Sequence, residues 1–115
     1  MDGYRGGKTD ERSNIRRAVV SFSVLAVLKQ GPCHGYEMAE KLRSTHELLT
    51  CESDLYPLLL RLGRQGLVTH RWELSPSGPP RKRYQLTVEG EQSLRERRKV
   101  WGELRQSMLK LLGKS

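Results

Sequence analysis

A chain of 115 residues holds one compact domain with at most one appended element, and its 36% hydrophobic content is low for a self-sufficient globule. Twenty-one basic against thirteen acidic residues leave a net charge of +8, which selects a polyanionic partner: nucleic acid or an anionic membrane surface. Two cysteines eighteen positions apart and no apolar run beyond residues 24–28 exclude a disulfide framework, a zinc signature and a membrane span, and point to a reducing compartment.

Residues 1–12 hold three glycines and mixed charges without an apolar period, so they read as an arm. Their polarity argues against a secretory signal, and the expected location is cytoplasmic. From Ser13 the pattern changes. Ile15, Ala18, Val19, Phe22, Leu25 and Ala26 share one helical face, and Gly31 with Pro32 stops the helix. A second helix is expected from His34 or Gly35, burying Tyr36, Ala39 and Leu42, with a polar connector over residues 43–47. A third runs over 52–65, with Leu55, Leu58, Leu59 and Leu62 as its buried stripe. Pro57 fits near its start, where backbone donors still lack partners, and Gly66 fits the left-handed residue after its end.

Two strand-like runs follow, 67–74 and 81–87, separated by Ser75, Pro76, Ser77, Gly78, Pro79 and Pro80; this is a hairpin. Thr87 caps a final helix reaching Leu112, about 37 Å long at ~1.5 Å per residue. Three helices, a two-stranded wing and a long helix make a mainly α fold, α+β in class. It is a winged helix-turn-helix over 13–87 with a dimerisation helix over 88–115.

In such a unit the third helix enters the major groove of DNA. With the leucines inward, Ser53, Tyr56, Pro57, Leu60 and Arg64 share the outer face and Arg61 lies at its margin. A hydroxyl, a phenol and arginines suit phosphate and base-edge contacts, although the same stripe also serves as a plain solvated face. In the wing, Arg81, Lys82 and Arg83 follow the double proline, and Arg71 lies on the opposing strand. They suit a phosphate backbone, or a charged sheet edge that prevents aggregation. Alternation sets Lys82 on the face opposite Arg81 and Arg83.

In the last helix Leu94, Trp101 and Met108 recur at seven-residue intervals, with Leu104 and Leu111 offset by three. Interrupted by Arg97, this short seam packs on its own core or, given the helix length, on a second subunit. Trp101 serves as interface packing or flanks a flat aromatic effector between subunits. Cys33 and Cys51 would form a thiol switch only with a depressed pKa, and His34 reads as a cap of the second helix. No catalytic constellation or cofactor-binding motif stands out, so neither enzymatic activity nor a cofactor is expected.

Three blocks together resemble the PadR family of bacterial transcription regulators over residues 15–112. They are Gly31, Pro32, Cys33, His34, Gly35, Tyr36 and Glu37; then residues 55–62 (Leu-Tyr-Pro-Leu-Leu-Leu-Arg-Leu) with Gly66 and Leu67; then residues 78–87 with Glu89 and Gly90. The resemblance implies a winged-helix homodimer that represses promoters on double-stranded DNA until an effector releases it. It also implies the short subgroup with a single dimerisation helix, where an aromatic at a position like Trp101 lines a cavity between subunits. Two residues depart from the pattern. Asp54 stands where a small or hydroxylated residue is usual, and Leu60 where a polar one is common. Two other classes remain open: a protein-interaction module without sequence-specific DNA binding, and a small-molecule carrier using the aromatic pocket.

Overall fold

The computed structural model describes residues 7–45 and 52–113, with side chains described from Asn14 in the first segment and Ser53 in the second. The first six residues of the expected arm, residues 46–47 of the expected connector, and Cys51 lie outside the described residues. The order is α1 (Gly7–Gln30), β1 (Cys33–His34), α2 (Gly35–Ser44), a 3-10 turn (Glu52–Asp54), α3 (Leu55–Arg64), β2 (Val68–Ser75), β3 (Gly78–Leu86) and α4 (Val88–Leu112). The first helix thus begins at Gly7, six residues ahead of Ser13.

The four leucines of α3 are all buried, joined by Val20, Val24, Leu25, Val27 and Leu28 of α1 and by Met38, Ala39 and Leu42 of α2. Burying each such side chain is worth about 1.5–3 kcal/mol, and this cluster sets the three helices around one centre. Two expectations change here. Tyr36 is 53% exposed, because α2 buries Gly35, Met38, Ala39 and Leu42 instead, the i, i+3, i+4, i+7 stripe. Ile15 and Val19 are also exposed, at 62% and 38%. The core side of α1 runs through Val20, Val24, Leu25 and Leu28, with Phe22 and Ala26 partly buried against it, so the C-terminal half of the expected face is covered and its N-terminal half is not.

The sheet has a third strand that the sequence reading lacks. Order is β1-β3-β2, all antiparallel, with Cys33 opposite Tyr84 and Val68 opposite Leu86. The hairpin turn is shorter than expected, since Ser75 pairs with Gly78 and Pro79 and Pro80 lie within β3. Neither proline has an N–H to give, so that part of the hairpin is an edge that no further strand can extend from both sides.

Two polar junctions hold the wing in place. At its base, the Thr87 hydroxyl donates to the Gly66 carbonyl (2.6 Å) and accepts from the Gly90 N–H (2.9 Å), while the Thr87 N–H donates to the Leu67 carbonyl (3.1 Å). Gly66, at φ +77°, takes the left-handed conformation that turns α3 into β2. At the side of the wing, His34 Nδ1 lies 3.0 Å from Glu37 Oε1 and Nε2 lies 2.8 Å from Glu73 Oε1, with the His34 backbone N–H also donating to Glu37 (2.9 Å). Arg83 closes the set at 3.7 Å from Glu73. His34 does cap α2, through its backbone, and its ring reaches across β3 to β2 as well. Both ring contacts are donor contacts only when the ring carries two N–H groups.

Both carboxyls sit below their ordinary pKa of 4.5: Glu37 chiefly through the His34 backbone N–H, Glu73 chiefly through the His34 ring. A depressed carboxyl pKa adds stability that is complete above the ordinary value and lost as pH falls through the folded one. Glu73→Gln should therefore lower the melting temperature at neutral pH, and the gap from wild type should close as pH drops below 4.5. Thermal melts across that range check this; a gap independent of pH refutes it. At the other junction, a Cβ on Gly90 would collide with the Leu67 carbonyl oxygen and lie 3.0 Å from Leu86 Cδ2. Gly90→Ala should cost about 1–3 kcal/mol in chemical denaturation, as overpacking against backbone does.

Candidate nucleic-acid interface

The outer side of α3 is formed as its period requires. Ser53, Tyr56, Leu60, Arg61 and Arg64 are exposed, Leu60 to 58%, while the leucines opposite are covered. Asp54 precedes the first turn without a side-chain cap, so its carboxylate acts on the helix N-terminus through charge alone. Tyr56 is held by what it touches. A Cβ built on Gly35 would lie 2.8 Å from Tyr56 Cε1 and 2.9 Å from its hydroxyl oxygen. The phenol lies flush on the start of α2, and only glycine leaves room for it.

Two hollows meet at this ring. One, about 670 Å³, separates α3 from the wing and is lined by Tyr56, Leu60, Arg64, His70, Lys82 and Tyr84 among others. The second, about 420 Å³, lies beside it over the start of α2, with Tyr36 and Arg81 on its walls. Tyr56, Lys82 and Tyr84 border both. The structure therefore brings Tyr56, Leu60, Arg64 and Lys82 to one cleft.

The wing has two different faces. Register sets His70 opposite Tyr84 and Trp72 opposite Lys82, so these four share the face toward α3. Arg71 opposite Arg83 and Glu73 opposite Arg81 share the other. Arg83 is engaged with Glu73 there, away from the cleft that Lys82 enters. Tyr36, His70 and Trp72 line this surface and are absent from the sequence-based set. Tyr36 was recoverable from the i, i+3, i+4, i+7 spacing of α2, and the other two from alternation after Val68.

The expected subunit seam divides. Leu94, at 9% exposure, takes the first of the two placements open to the seam and packs in the core of its own chain. Trp101, Leu104, Met108 and Leu111 are exposed, and a shallow groove of about 370 Å³ joins Trp101 and Leu104 with Val100 and with Ala18, Val19 and Phe22 of α1. Arg97, which interrupts the seam, donates to the Ser21 hydroxyl (3.0 Å) and so ties α4 to α1. Cys33 is buried, and its thiol is pushed up chiefly by desolvation and then by Glu37, the opposite of what a thiol switch needs. No helix among the described residues is long and apolar enough to cross a membrane.

Known proteins supply the frame for this geometry. The model of the transcriptional regulator PadR-like family matches residues 24–96. A PadR-like transcription factor from Bacteroides fragilis is similar at 31% identity and TM-score 0.78, over 89% of this chain and 98% of that one. A PadR family regulator from Eggerthella lenta is similar at 31% identity and TM-score 0.78, over the whole of both chains. Bacillus subtilis PadR, solved in complex with operator DNA, is similar at 26% identity and TM-score 0.63, over 68% of this chain and 45% of that one. No protein of curated function matches the chain. The family model covers well over half of the sequence, and the chain belongs to the PadR-like family of transcriptional regulators.

Proposed function

We infer that this regulator is a sequence-specific repressor that acts in the cytoplasm as a homodimer on a promoter operator and is released by an effector. The observation that carries the reading is the shared cleft: Tyr56, Leu60 and Arg64 of α3 and Lys82 of the wing line one hollow. In this reading Tyr56, Leu60 and Arg64 meet base edges, Leu60 as the apolar partner of a thymine methyl. Ser53, Arg61 and Lys82 hold phosphates. Arg81, on the wall of the second hollow, and Arg83, paired with Glu73 on the far face of the wing, add to the positive field that draws DNA in. The operator complex of Bacillus subtilis PadR supports a DNA partner.

The exposed apolar residues of α1 and α4 support the dimer. Val19, Val100, Trp101, Leu104 and Met108 lie 38–56% exposed on adjoining helices, more apolar surface than a monomer of this size keeps in water without use. Trp101 borders a groove that, doubled by a second subunit, suits a flat aromatic effector.

Binding to an operator selected from random duplexes should weaken steeply with salt. For about 6 phosphate contacts per dimer the log–log slope is near −5, whereas a flat titration would reject the electrostatic mechanism and favour an interaction module. The dimer is tested separately. Leu104→Glu with Met108→Glu places charges in the seam and should yield monomers by light scattering, with an unchanged dimer mass as the refuting result.

A further inference from the structure

We propose that Trp72 is an apolar contact of the wing with the DNA minor groove, seated by Lys82; this rests on the DNA-binding reading above. The indole is 64% exposed and Leu74 beside it 87%, on a hairpin whose other side chains are mostly charged or polar. A chain this basic leaves such a patch uncovered at a cost in solvation, unless a partner covers it. The patch is also built. Tyr84 is buried at 7% exposure, His70 packs on it at 5.7 Å between ring centroids, and Trp72 meets His70 edge-on at 6.2 Å. A row of rings thus leads from the core out along the wing, and Lys82 Nζ lies 5.4 Å from the Trp72 centroid. Beyond the indole a shallow hollow of about 540 Å³ continues over Leu74, Pro79 and Pro80.

Chemistry selects the occupant. A flat apolar face with an ammonium directly over it matches the minor groove, whose walls are deoxyribose C–H surface and whose rim is phosphate. Apolar side chains are used as wedges in that groove. Position agrees: Trp72 shares its face with His70 and Lys82, which line the cleft beside α3. A wing beside a helix seated in the major groove meets the next groove along the duplex, the minor one. Glu73, the acidic neighbour, does not oppose this, because its carboxylate is turned to His34 and Arg83 on the other face.

The test uses the full chain and a selected operator duplex. Trp72→Ala should weaken binding about tenfold without changing the salt slope, since an apolar contact releases no counterions, whereas Lys82→Ala should shallow the slope by about 1 per site. Trp72→Phe should recover most of the affinity. Circular dichroism and the melting temperature establish that the variants fold. A measurement on the unaltered protein is independent of that: a dye filling the minor groove of the flanking sequence should compete with binding. Wild-type affinity for Trp72→Ala, or indifference to the dye, overturns the proposal while salt-dependent operator binding keeps the DNA reading intact. A wild-type chain that binds no duplex overturns both.

Discussion

The hydroxyl of Thr87 joins three segments that sequence keeps apart. It donates to Gly66 after α3, accepts from Gly90 in the first turn of α4, and sits at the residue where β3 ends. One oxygen therefore fixes the exit of α3, the root of the wing and the departure of α4. The glycines on either side are there for space and backbone conformation: Gly66 for its left-handed turn, Gly90 because the Leu67 carbonyl leaves no room for a Cβ. Rotating this junction would move α3 and the wing relative to each other, and the cleft between them would change width. Glu89 and Glu91 in the first turn of α4 add favourable charge at the same helix end.

The second constraint is electrostatic and divides the wing into two surfaces. Across all three strands, Glu37, His34, Glu73 and Arg83 form one chain of contacts on the face away from α3. It gathers the acidic groups of the region where they offset one arginine. The face toward α3 keeps Lys82 with no acidic residue beside it on the strand pair and carries the aromatic row instead. A hairpin of uniformly positive charge would attract a polyanion from either side. This one leaves Lys82 and the aromatic row on one side and uses the other to hold itself to α2.

What was legible in the sequence follows from the range of the interactions. The stripe of four leucines on α3, the hairpin and the Thr87 cap are local patterns, and each is present, the hairpin with a shorter turn than its prolines suggest. So does the outer stripe with Tyr56, Leu60 and Arg64. Strand β1 is two residues long and carries no alternation; it exists only because β3, some fifty positions later, offers an edge. The reach of His34 to Glu73 spans 39 positions and has no sequence period at all. Tyr36, expected to be buried, and Leu94, whose seam had two partners open to it, were not fixed by a local pattern. Tertiary packing, which local spacing does not record, decided both: Met38 and Ala39 took the covered face of α2, and Leu94 joined the core of its own chain. Arg83 illustrates the same limit: a cation in a basic cluster reads as free until Glu73 is found beside it.

Helix α4 is uneven along its length. Its last buried residue is Leu94, and from Trp101 onward the side chains are mostly exposed, so the outer turns have far less packing than the inner ones. Gly102 falls at the boundary, where a Cβ would meet nothing within 4 Å, and glycine in place of alanine costs a helix interior about 1 kcal/mol. In an isolated chain the outer turns therefore open at low free energy while the inner ones open only with the core. Amide protons along this single helix should exchange across a gradient of protection, slow up to Leu94 and fast toward Leu112. Order in the outer half becomes a property of whatever lies against it.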